Sequence, residues 1–147
     1  MELAGLVSMA AALYAGVAAS LQGAANAALA RYISLWPTIL VVHVVGLATT
    51  AAVLLTGVPR AQWSGIGAAP WYVFIGGALG ATIVAGMTWA IGRVGIAAAT
   101  TALLVGQMAV AMLADHFGLF GLSRIPITPV RLMGIVLLLI GMRLMFK

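Results

Sequence analysis

Five apolar stretches follow one another along this 147-residue chain, each close to the ~20 residues a helix needs to cross hydrocarbon. Their approximate ranges are 3–29, 37–55, 71–91, 96–115 and 130–146. In lipid no water satisfies backbone N–H and C=O groups, so a run of that length must close its hydrogen bonds within itself, as a helix. A greasy soluble domain is the rival. Only 6% of residues are charged, whereas a soluble domain carries about 25%, so most of this surface must face lipid. The expectation is an all-α membrane protein: five transmembrane helices with short loops, forming one transmembrane domain over 1–147.

The first stretch lacks a basic leader and is too long for a signal-peptide core, so it is read as a retained span. The chain has no cysteine, which excludes disulfides and thiolate metal sites. Its seven basic residues are spread singly. That fits charges flanking spans and gives no patch for nucleic acid.

The ends of the stretches are marked by residues with physical reasons to be there. Pro37 suits a first helical turn, Gly57 and Pro59 stop the second stretch, and Pro70, Pro126 and Pro129 precede later ones. Trp36, Trp63, Trp71 and Tyr72 lie near proposed ends, where amphipathic rings anchor at headgroup depth. Gly92-Arg93-Val94-Gly95 reads as a tight turn making spans three and four antiparallel neighbours. Small residues form rails at Ala11, Ala15, Ala19, Gly23 and Ala27, at Gly76 and Gly80, and at Gly134 and Gly141. In lipid such rails permit close backbone approach, within one subunit or between two.

Orientation carries information by being undecided. With five spans, Arg60, Arg124 and Arg131 share the side of the N-terminus, while Arg31, Arg93, Arg143 and Lys147 lie opposite. Lys and Arg favour the cytoplasm, and counting the N-terminal amine the two sides are level. One reading is insertion both ways, followed by antiparallel pairing into ten spans related by a two-fold axis in the membrane plane, the inverted-repeat plan of many transporters. The other is one orientation, imposed by a partner.

Few polar groups could carry chemistry. Asp115 is the only acid away from the N-terminus, and a carboxylate in a span costs roughly 3 kcal/mol on insertion scales. It falls near a helix C-terminus, where the macrodipole disfavours an anion, so it needs a partner: Arg124, Arg131 or the adjacent His116. Gln22 and Asn26, four apart, share a face of span one. His43 and Thr50 share a face of span two, Thr82, Trp89 and Arg93 one of span three, and Thr100 and Gln107 one of span four. Each set reads either as substrate lining or as packing and interhelical hydrogen bonding. No GxSxG, Walker loop or HExxH is present, and the His and Asp residues are too few for a metal site. The expectation is no enzyme, no cofactor and no metal.

Four segments also carry a resemblance: LQGAANAAL (Leu21–Leu29), PWYVFIGGALGA (Pro70–Ala81), GRVGIAAATTALLVGQ (Gly92–Gln107), and DHFGLFG from Asp115 followed by Arg131 and Gly134. Together they resemble the YdcZ-type (EamA-like) small five-span proteins of the drug/metabolite transporter superfamily, along the full length. The resemblance implies a half-transporter of the bacterial inner membrane, whose relatives occur as antiparallel homodimers, paired genes or fused ten-span chains. The chain is similar also to four-span small multidrug exporters, which carry a carboxylate deep in span one. Here only Glu2 stands near that span, at its extreme end.

The expected function is therefore a multi-pass secondary transporter of small metabolites, an antiparallel homodimer in the bilayer working by alternating access. Gln22, Asn26, His43, Trp89 and Gln107 are expected to line the substrate path, and Asp115, His116 and Arg131 to gate or couple it. The alternatives are a non-transporting scaffold or accessory subunit and a multidrug-type cation exporter.

Overall fold

In the computed structural model, residues 3–57, 63–121 and 123–146 are described. Glu2, Pro59, Arg60 and Lys147, which enter the sequence expectations, lie outside them. Among the described residues the chain is all helix and turn, without strands: α1 (Leu3–Ile33), α2 (Leu35–Leu55), α3 (Ile75–Val94), α4 (Ile96–Phe117) and α5 (Pro129–Met145). Short 3-10 turns at Trp63–Ala68, Trp71–Phe74 and Leu119–Gly121 complete it. Among the described residues, four segments are long and apolar enough to cross a membrane: Gly5–Ile33, Leu35–Leu55, Trp71–Val94 and Ile96–Phe117. α5 has 17 residues, about 25 Å of rise, at the lower limit of a spanning helix.

The chain divides into two compact units, residues 1–89 and 90–147. In the first, α1 and α2 meet at a corner made by a single residue, Ser34. Its N–H donates to the Ala30 carbonyl at 3.0 Å, closing α1. Its own carbonyl accepts both the Thr38 N–H at 3.3 Å and the Thr38 hydroxyl at 2.7 Å, starting α2. Beside this corner Gly23, Asn26 and Ala27 of α1 are buried, as are Thr38 and Ile39 of α2. The small-residue rail of α1 is thus divided: Gly23 and Ala27 are covered, while Ala11, Ala15 and Ala19 stay exposed.

Ser34 sits at φ 65, ψ 175 and is the one non-glycine with positive φ among the described residues. That region is left almost wholly to glycine, and a side chain there costs on the order of 1–3 kcal/mol. Ser34→Gly removes the Cβ clash at the cost of extra unfolded-state freedom. The expected net result is stabilisation by about 1 kcal/mol, read as a higher unfolding midpoint in detergent. A lower midpoint would show that the Ser34 side chain holds the corner.

In the second unit the link from α3 to α4 is as short as the glycines suggest. Gly95 takes φ 83 and donates its N–H to the Ile91 carbonyl at 3.1 Å, and its carbonyl accepts the Ala99 N–H at 3.2 Å. α4 ends on Gly118, left-handed at φ 63, a glycine stop that satisfies the last carbonyls. α5 begins with Thr128, whose hydroxyl accepts the Arg131 N–H at 3.3 Å, and Pro129 stands at the first helical position.

Burial is sparse. Among the described residues the buried apolar side chains are Ala27, Ile39, Ile91, Ala98 and Ala99, while large apolar groups on all five helices stay exposed. For a chain so poor in charge, lipid or another protein surface must cover those groups.

Candidate functional site

The chemistry of the second unit gathers between α4 and α5. Met108, Ala111, Met112 and Asp115 recur at steps of three and four along α4 and so share one face. Arg131, Gly134 and Leu138 do the same on α5. The two faces line a cleft of about 270 Å³. It is graded along its length. Asp115 and Arg131 close one end, at the tips of their helices; Ala111, Met112 and Gly134 come next; Met108 and Leu138 lie deepest, about 10 Å along the helix axes. The charged end therefore lies at the helix ends and the apolar end about two turns further along them.

At the charged end, Arg131 Nη1 donates to Asp115 Oδ2 at 3.2 Å. Each partner sits where its own helix disfavours it, an anion in the last turn of α4 and a cation in the first turn of α5. Each misplacement costs roughly 0.3–1 kcal/mol against the macrodipole, and each residue supplies the other's countercharge. Arg131 remains 38% exposed and Asp115 33%, so both are accessible at the surface of the chain. The contact is a single hydrogen bond, leaving Oδ1 and the remaining guanidinium N–H groups to other partners.

Backbone contacts hold this geometry. The loop after Gly118 folds back so that the Ile125 N–H donates to the Asp115 carbonyl at 2.9 Å, and the Ile127 N–H donates to His116 Nδ1 at 3.4 Å. The His116 proton is therefore on Nε2, and its ring stands edge-on to Phe117 with centroids 5.0 Å apart. His116 positions the loop that leads through Thr128 to Arg131 on α5. Of the three partners open to Asp115, the structure selects Arg131.

The three residues expected to gate or couple thus come together at one end of α4 and α5. Of the expected lining residues, Gln22, Asn26, His43 and Trp89 belong to the first unit and Gln107 to the second. Asn26 is buried at the α1–α2 corner, 6% exposed, whereas Gln22 one turn earlier is exposed. His43 is exposed on α2, two residues from the middle of that helix, with Nδ1–H donating to the Ile39 carbonyl at 2.8 Å. Thr50, on the same face, returns its hydroxyl to the Gly46 carbonyl at 3.0 Å, and Thr82 bonds Leu79 in the same way at 2.8 Å. These side chains are satisfied by their own helices. Trp89 and Gln107 are exposed on α3 and α4, and Gln107 is not among the residues lining the cleft. The buried hydroxyl oxygens of Thr88 and Thr100 have no hydrogen-bond partner.

Sequence reasoning missed Met108, Met112 and Leu138. Their signal was register: Met108 and Met112 precede Asp115 at −7 and −3, and Leu138 follows Arg131 at +7.

The sequence model of the family described as "Putative inner membrane exporter, YdcZ" matches residues 7–144, nearly the whole chain. No curated protein matches, and no solved structure does. With its spanning helices, the match places the protein in the inner membrane as a multi-pass protein.

Proposed function

The chain belongs to the YdcZ family of inner membrane proteins, and on that premise we propose that it exports small amphiphilic metabolites as an antiparallel homodimer by alternating access. The observation that carries this reading is the graded α4–α5 cleft: an accessible ion pair at the helix ends and an apolar groove running inward from it. At about 270 Å³ it falls just short of the usual ~300–1,000 Å³ of a ligand site. A second copy completes the enclosure.

Three features support the pairing. Large apolar side chains are left uncovered on every helix. A Cβ built at Gly76, Gly80 or Gly141 meets nothing within 4 Å, so these small-residue positions are free for close approach by another helix. The level count of basic residues gives no preferred orientation. Two oppositely inserted copies place one cleft toward each face of the membrane. A solute that competes for Asp115 or Arg131 loosens the contact joining the end of α4 to the start of α5, and that loosening lets the copies rock.

The protein reconstituted in liposomes is expected to pass amphiphilic solutes across the bilayer at rates well above protein-free vesicles. A broad metabolite panel without flux, on samples where the dimer is intact, would remove the exporter reading. The intrachain ion pair also suits a second reading, an accessory subunit in which Asp115–Arg131 only staples two helices. A charge-exchange variant separates the two.

A further inference from the structure

We infer that the α4–α5 cleft selects zwitterionic amphiphiles: molecules whose head carries both an ammonium and an anionic oxygen group, with an apolar tail. The inference deepens the exporter reading and rests on it for the use made of the site, though binding is measurable without transport. A site for cations alone needs an acid without a competing base, and a site for anions needs the reverse. Here one of each stands at the same end, joined by a single 3.2 Å contact and each about one-third exposed. A zwitterionic head matches both at once. Its ammonium donates to the Asp115 carboxylate and its anionic oxygens accept from the Arg131 guanidinium, so neither protein charge is left unpaired when the internal bond yields. A singly charged head satisfies one and strands the other.

The rest of the cleft fits the tail. Met108 and Met112 offer flexible, polarisable walls that adapt to varied apolar shapes, Leu138 closes the deep end, and Gly134 leaves open the space opposite. A Cβ at Gly134 meets no atom within 4 Å, and its φ lies outside the left-handed region. A side chain there enters empty space and leaves the helix undistorted. Two sources supply the chemistry: a free small zwitterion with an apolar side chain, or a zwitterionic phospholipid of the surrounding bilayer.

The experiment has one arm for each source and one blocking variant. In the first, full-length protein in detergent is titrated calorimetrically with leucine, with 3-methylbutylamine, which lacks only the carboxylate, and with 4-methylpentanoate, which lacks only the ammonium. In the second, retention of phosphatidylethanolamine is compared with that of phosphatidylglycerol by native mass spectrometry. The zwitterion is expected to bind about tenfold or more tightly than either singly charged relative, the factor expected for one charge-assisted hydrogen bond, in at least one arm. Gly134→Leu is expected to abolish that preference in a protein with an unchanged helical spectrum. The inference is overturned if neither arm favours the zwitterion, or if Gly134→Leu leaves the preference intact. Absence of flux alongside selective binding would instead remove the exporter reading and leave this one standing.

Discussion

Replacing Asp115 with asparagine is expected to lower solute flux by about tenfold or more, equivalent to about 1.4 kcal/mol, with the helices retained. The change keeps the side chain's size and removes the anion that both holds Arg131 and meets the solute. Its effect on stability is smaller, because the pair is partly exposed and such pairs contribute about 0–1 kcal/mol. The informative comparison is the exchange of both charges, Asp115→Arg with Arg131→Asp. That variant restores an ion pair and places each charge at the helix end that favours it, so it is expected to unfold at a higher midpoint than the wild type, by roughly 1 kcal/mol of added stability. It is also expected to stay impaired in transport, since the charges now face the solute in reverse. Flux recovered to the wild-type level would show that the pair is a helix staple and nothing more.

A second large effect is expected from two lysines. Ser64 and Ser123 are exposed in the links that share the side of the N-terminus under five spans. Ser64→Lys with Ser123→Lys shifts the balance of basic residues to that side, which the positive-inside bias then holds in the cytoplasm. Alone, the double variant is expected to lose nearly all flux, because antiparallel pairs no longer form. Co-expression with a chain biased the opposite way is expected to return it. Full activity of the double variant alone would exclude the antiparallel pair.

The helices were legible in the sequence because lipid leaves an apolar run of ~20 residues no alternative to a helix. Gly95 and Gly118 announced their turns, since a positive φ is ordinarily glycine's. Ser34 does not: nothing about a serine signals φ 65, and the apolar run that ends before Arg31 gives no sign that α1 continues to Ile33. At the site, the need of Asp115 for a cation was readable from its place at a helix C-terminus. Which cation was not, because the choice of Arg131 over Arg124 is made by a loop that folds back through Gly118 and the Ile125 N–H. The amides and His43 were singled out because polar groups are rare in spans. Rarity gives no direction, and side chains such as His43 and Thr50 found partners one turn back on their own helix. Met108, Met112 and Leu138 were passed over for the opposite reason: in an apolar helix a methionine looks like any other lipid-facing residue until the charge at the end of its row is noticed.

Transport by an antiparallel pair requires that one polypeptide settle in the bilayer in both directions. The direct measurement fuses the C-terminus of the unaltered protein to a pair of reporters, one active only in the cytoplasm and one only outside it, and normalises each signal to expression. Comparable signals from the two fusions are predicted. Signal from one fusion alone, at equal expression, would contradict the antiparallel pair and the transport cycle built on it.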